Sequence, residues 1–357
     1  MRQILSQIWS HRTFRGCKSP ARHLEPRRCV TTSSHLSSPG TCRVQPVATT
    51  DGSIDVHSFR SLAWEPAIPV HLRGFHHLPA MKSWIRGGDL VKGSVSFGDR
   101  LESFSDTIVS YELIASSHGR ESSACSPNCL QEFKAWLKTQ PDQETNYLLY
   151  LLIDRLLESV ANDQSRFLQF DGPLSLIIQA SRFNGSRDGP SHCIKQLYIA
   201  QSDIRSLPPP LVDDLPVPEI VAQAGKGDIY SSSIWLGLQP IYTPLHRDPN
   251  PNLFCQLVGS KAVRFLRPRA GLSVFRDVRR SLGGAANSRF RGPEMMDGPE
   301  RDGLHRAIWV DPDTSREIWE AVLSPGDALF IPQGWWHSVR SVGHEAALNA
   351  SANWWFR

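Results

Sequence analysis

Several absences narrow the function before any motif is read. The chain has no run of about 18 uncharged apolar residues, so no segment suits a helix that crosses a bilayer. Its longest apolar stretch, "YLLYLLIDRLL" at 147–157, carries Asp154 and Arg155 and reads as a buried helix. No membrane role is expected. A disulfide framework is missing too. The seven cysteines are an odd number, and Cys17, Cys29 and Cys42 fall within the first fifty residues. Cys125 and Cys129, in "ACSPNC", form a close pair with no second pair to complete a zinc site, so reduced, non-structural thiols are expected. No internal repeat is visible.

Acidic residues are scarce at the N-terminus. Glu25 stands alone there against seven arginines and one lysine, while the remaining chain holds 31 basic and 34 acidic residues. The net charge of +4 therefore comes from residues 1–50, and the rest lacks the basic excess of a nucleic-acid binder. "MRQILSQIWSHRTFRGCKS" is Arg-rich, with Ile4, Leu5, Ile8 and Trp9 at helical spacing, and the hydroxyl-rich "VTTSSHLSSPGT" follows. Such segments look like mitochondrial transit peptides. A disordered basic tail is the alternative, leaving a cytoplasmic or nuclear protein.

What is present reads as one globular domain over 51–357, with 11 Trp and 15 Phe to fill a core. A helical part is expected over about 51–170. It opens with a strand in "AWEPAIPVHLRGF" and a short helix in "PAMKSWI"; strands in "SVSF" and "DTIVSYELIA" follow. "CLQEFKAWLKTQ" and "ETNYLLYLLIDRLLESVAND" carry the helical period. After them that period stops, and "LSLIIQA" and "KQLYIAQ" are short apolar runs bounded by Gly, Pro and Asp. The Pro-rich "PPPLVDDLPVPEIV" reads as a loop into the barrel. From about 171 onward "DIYSSSIWLGL", "FCQLVGSKAVRFLRP", "REIWEAVLSPGDALFIP", "WWHSVRSV" and "ALNASANWWF" are strand-like, with a hairpin expected at Gly259-Ser260. Residues 267–306, rich in Gly and Arg, read as an irregular inserted loop. Helices first, then about eight short strands, suggest a mainly β fold: a double-stranded β-helix, or jelly roll, with the N-terminal helices packed outside the barrel.

The triplet His246-Arg247-Asp248 fits two chemistries. A kinase catalytic loop needs Asn five residues after the aspartate, but Leu253 stands there, and no D-F-G or glycine-rich phosphate loop accompanies it. A metal site uses His-x-Asp as two ligands, since alternate residues of a strand face one side. A second histidine, His337, lies in "GDALFIPQGWWHSV", on a strand expected to face the first across the lumen. The pair His76-His77, and His192, His305 and His344, have no comparable acidic companion.

Residues 64–356 resemble the small JmjC (cupin-8-like) Fe(II)/2-oxoglutarate oxygenases. They are similar, within these, to the asparaginyl hydroxylase that inhibits hypoxia-inducible factor. "TPLHRDPNPNLFCQLVGSKAVRFLRP" looks like that group's T-x-x-H-x-D segment with its following lysine. "GDALFIPQGWWHSV" looks like the segment bearing the distal histidine, "NWWF" like the closing N-x-W strand, and "LYIAQ" like an earlier L-Y-L-x-Q strand. The resemblance implies Fe(II) on His246, Asp248 and His337. It implies 2-oxoglutarate paired with Lys261, Thr243 and Tyr198, with Asn252 and Asn353 near metal and cosubstrate. It gives Gln201 no secure role, because "YIAQ" is less amide-rich than its counterpart. Asp248 and His337 lie 89 residues apart, which is where the insertion falls. The chain stops four residues after Asn353, so the helical pair that dimerises the asparaginyl hydroxylase is not expected, and the oligomeric state stays open.

The function so implied is hydroxylation of a protein side chain by a dioxygenase. An aspartate in the triad and the lack of a reader domain make histone demethylation a weaker expectation. Hydroxylation of a tRNA base, with the Arg-rich segment on phosphate, is one alternative. A non-catalytic cupin that binds a partner is another.

Overall fold

The computed structural model describes residues 44–115, 124–141, 143–162, 167–283, 296–313 and 315–357. Most of the expected N-terminal tail therefore lies outside the described residues. In chain order the strands are β1 (Val44–Pro46), β2 (Ala48–Asp51), β3 (Val70–Arg73), β4 (Ile85–Asp89), β5 (Ser94–Phe97), β6 (Ile108–Ile114), β7 (Phe167–Pro173), β8 (Leu197–Asp203), β9 (Ile229–Leu238), β10 (Tyr242–Arg247), β11 (Asn252–Val258), β12 (Ser260–Leu266), β13 (Ile318–Leu323), β14 (Ala328–Ile331), β15 (Trp336–Val342) and β16 (Leu348–Phe356). The longer helices are α1 (Pro127–Leu137), α2 (Gln143–Asn162), α3 (Ser175–Gly185), α4 (Pro268–Ser281) and α5 (Pro299–His305).

Two sheets make the jelly roll. A nine-stranded sheet runs β2-β3-β14-β11-β16-β9-β8-β6-β7, and a five-stranded sheet runs β1-β13-β12-β15-β10. Pairing is largely antiparallel, and the helices lie outside the sandwich. Between the sheets pack Phe254, Leu329 and Ile331 from the larger and Val263, Phe265, Leu323 and Val339 from the smaller. The largest apolar core joins α1, α2 and α3 to β6, β8, β9, β11 and β16.

Local chemistry explains these elements. In α1, Ser126 caps the N-terminus by accepting from the Cys129 amide at 3.2 Å, and Pro127 takes the first turn, where its missing N–H costs nothing. Leu130, Phe133 and Leu137 then fall on one buried face. In α2, Leu149, Ile153, Leu156 and Val160 are buried at helical spacing, and Lys134 pairs with Asp154 across the two helices. The cysteines that are described, Cys125, Cys129, Cys193 and Cys255, are free thiols.

Several expectations need correction. "LSLIIQA" lies in helix α3, where Leu176, Ile177, Ile178 and Ala180 are all buried; burial on nearly every side erases the polar stripe that would betray the period. Residues 267–306 are not wholly irregular, since α4 and α5 occupy both ends, and 284–295 lie outside the described residues. "PPPLVDDLPVPEIV" contains two short helical turns, Pro209–Asp213 and Glu219–Gln223. The strands expected in "AWEPAIPVHLRGF" and "DTIVSYELIA" are β3 and β6 of the larger sheet, which also gains the unexpected β7. The tail does not reach residue 50, because β1 pairs in parallel with β13 and β2 with β3. Gly259 is not a hairpin tip: β11 belongs to one sheet and β12 to the other. Its φ of +68° turns the chain between them, and a Cβ there would lie 2.7 Å from the Asn349 amide nitrogen.

Candidate metal centre

His246 and His337 are cross-strand partners on β10 and β15. The two strands are neighbours in the five-stranded sheet, not opposed across the lumen as expected. Directly opposite residues of an antiparallel pair share a face, so both imidazoles reach the same space, with ring centroids 4.1 Å apart. The register shifts between Thr243 and His246, around Pro244, which has no N–H for the ladder. Asp248 follows just past the end of β10. The three residues offer ligand atoms that all lie within 4.8 Å of one another, and among the described residues this is the one such group of three.

The surroundings prepare each ligand. The His246 Nδ1 is 2.8 Å from the Pro244 carbonyl and the His337 Nδ1 is 3.3 Å from the Trp335 carbonyl. A carbonyl only accepts, which assigns the proton to Nδ1 and leaves each Nε2 lone pair for a cation. Those Nε2 atoms stand 3.8 Å and 3.7 Å from the two Asp248 oxygens. The Asp248 Oδ2 accepts from the Asn252 Nδ2 at 3.1 Å and from the Trp355 Nε1 at 2.9 Å. Asn353 in turn donates to the Asn252 Oδ1 at 3.1 Å. Burial alone would raise the Asp248 pKa; His337, His246, Trp355 and Asn252 together outweigh it and hold the carboxyl below its ordinary value. Two imidazoles, which ligate in their neutral form, and one carboxylate fit a divalent transition-metal ion such as Fe(II).

Lys261 opens β12 and is 1% exposed. Its ammonium donates to the Ser351 hydroxyl at 2.8 Å and to the Tyr198 hydroxyl at 3.3 Å, and it lies 5.2 Å from the Phe254 ring centre. Burial pushes its pKa down to about 7. Thr243 sits opposite Val339 in the register; its carbonyl accepts from Ser338, while its hydroxyl makes no hydrogen bond to another described residue. Gln201 is exposed, at φ +53°. Among the described residues no other histidine joins the cluster: the His76 Nε2, for example, faces the Asp327 carbonyl at 3.1 Å.

Ser351 escaped the sequence reading, and Trp355 entered it only as the tryptophan of the N-x-W motif, with no role assigned. Both lie two positions from Asn353 on β16, and residues of that parity share a strand face. Ser351 meets the lysine, Asn353 the bridging amide, and Trp355 the carboxylate. The alternation was a usable signal.

A family model described as a cupin-like domain matches residues 59–357. Lysine-specific demethylase 8 of Danio rerio is 30% identical over 162 residues, covering 44% of this chain and 36% of that protein. Jumonji C domain-containing protein 5 of Drosophila melanogaster is 29% identical over 160 residues, 44% of this chain and 36% of that one. Lysine-specific demethylase JMJ30 of Arabidopsis thaliana is 25% identical over 190 residues, 53% and 40% of the two chains. The chain thus spans between 36% and 40% of the length of these relatives.

Proposed function

The chain belongs to the cupin-like domain family, and from that premise we propose that it is an Fe(II)- and 2-oxoglutarate-dependent dioxygenase that hydroxylates a protein side chain. The observation that carries this reading is Lys261, an ammonium group buried against two neutral hydroxyls on a strand beside the one that bears His337. A buried cation with no anion is costly, so a lumen that keeps one suits an anionic guest. 2-Oxoglutarate offers a carboxylate for Lys261 and a keto-acid end for the metal.

His246, Asp248 and His337 would hold the ion. Bound Fe(II) would supply the oxidation, in which dioxygen is reduced, 2-oxoglutarate becomes succinate and CO2, and one oxygen atom enters a substrate C–H bond. The chain's own residues position and desolvate. Asn252 and Trp355 fix the Asp248 carboxylate, Asn353 fixes Asn252, and Tyr198 and Ser351 aim the lysine. Thr243 remains a candidate donor to the cosubstrate.

Similarity to the asparaginyl hydroxylase supports protein hydroxylation within this class. It rests on the T-x-x-H-x-D segment, Lys261 fifteen residues beyond His246, and Asn353 with Trp355. The names of the Danio rerio and Arabidopsis thaliana relatives favour a second reading, removal of methyl groups from lysine. Oxidation of an N-methyl group releases formaldehyde, which separates the two. Purified full-length protein with Fe(II) and 2-oxoglutarate is expected to form succinate slowly, and Asp248→Ala/His337→Ala to form none. No succinate and no 2-oxoglutarate binding would sink the dioxygenase and favour a partner-binding cupin. Formaldehyde from a methyl-lysine peptide would select the demethylase.

A further inference from the structure

Helix α4 presents two unlike faces. Gly271 and Val274 are buried, with Phe275 and Val278 half-buried beside them. Arg269, Ser273, Arg276 and Arg280 are all exposed, at intervals of four, three and four residues, which makes one stripe about 16 Å long. Residues 267–281 hold five arginines against the single carboxylate of Asp277, although the chain beyond residue 50 carries more acidic than basic groups. Arg280 is paired with Asp277 and Arg267 with Glu317. Arg269 and Arg276 have no ion pair among the described residues. Positive charge is concentrated on this face.

Helix α4 packs behind the strand that bears His337, on the face away from the lumen. Gly271 lies so close to Trp336 that a Cβ there would come 2.2 Å from the indole Cγ. Trp336 precedes His337, and its ring also packs 5.2 Å from that of Phe275. The Arg247 guanidinium, from the residue between His246 and Asp248, lies 5.7 Å from the same indole.

We propose that the outward face of α4 is a docking surface for an acidic segment of the protein substrate. Bound there, the segment would hold a neighbouring side chain near His246, Asp248 and His337. This rests on the protein-hydroxylase reading above. Charge complementarity sets the chemistry, and guanidinium forks suit carboxylates. A long nucleic acid fits less well. Asp277 and Asp313 flank the groove beside Val274 and Val278, where a continuous row of phosphates would be repelled. Asp277 accepts from Ser273 and pairs with Arg280, which leaves Arg269 and Arg276 as the contact points for a short acidic segment.

The test is fluorescence anisotropy with the full-length protein and a labelled peptide of alternating Glu and Gly, beside its Lys–Gly counterpart and a random RNA oligonucleotide. The wild-type protein should prefer the acidic peptide, and Arg269→Glu/Arg276→Glu should weaken that binding about tenfold and shift preference towards the basic one. Both residues are exposed and have no ion pair among the described residues, so the variant should melt like the wild type. Acidic-peptide binding that ignores the substitutions, including binding by the basic first fifty residues, would overturn the proposal. So would tighter RNA binding through the same two arginines. Because this readout needs no turnover, its failure is separate from failure of the succinate assay.

Discussion

Lys261 titrates where the protein would work, and that has a direction. Unliganded, it is ammonium below pH 7 and loses its proton above it; in an unfolded chain it holds the proton to about 10.5. The burial penalty is therefore fully present below pH 7 and relieved as pH rises towards 10.5, so the unliganded protein gains stability across that window. Ligand binding runs the other way. A carboxylate needs the ammonium, so 2-oxoglutarate affinity should fall by up to about tenfold per pH unit above 7, with proton uptake visible by calorimetry in buffers of different ionisation enthalpy. A flat affinity between pH 7 and 9 would mean that Lys261 does not grip the ligand. Trp355→Phe removes one hydrogen bond from Asp248 and keeps the ring, so Co(II) affinity, followed by its visible spectrum, should drop about tenfold with the fold intact. At this scale the sequence was legible where a residue type is chemically scarce in its setting. Histidines beside an aspartate and a lysine inside a β-rich segment stand out; Ser351 does not, because a serine on a strand is unremarkable until its parity with Asn353 is followed, and Trp355 was visible only as a motif letter without a role.

Among elements, the turn at Gly259 joins the two sheets under tight steric limits. Gly259→Ala should cost about 1–3 kcal/mol in urea unfolding, from its positive φ and its approach to Asn349. An unchanged midpoint would show that the corner relaxes freely. The strands of the barrel were readable because β-rich runs are separated by turn residues. Helix α3 was not, being buried on nearly all sides, and α4 was hidden by its own arginines, whose number suggested a loop. Sheet membership was unreadable for another reason: β11 and β12 are consecutive with one residue between them, and the φ of Gly259 decides whether they pair or part.

For the whole molecule, β1 and β2 bring the described part of the chain to residue 44, leaving the first 43 residues as the candidate targeting segment. Residues 1–50 fused to a fluorescent reporter are expected to carry it to mitochondria, and a diffuse or nuclear signal would end that proposal. The cross-strand placement of His246 and His337 has a kinetic consequence as well. β10 is an edge of its sheet, hydrogen-bonded to β15 alone within it, so it can peel away more readily than the strands paired on both sides. An ion held by one histidine from each strand would act as a rivet. Hydrogen–deuterium exchange should slow at β10 and β15 amides when Co(II) is added and stay unchanged in β6 and β7. The metal would then set how often the lumen opens.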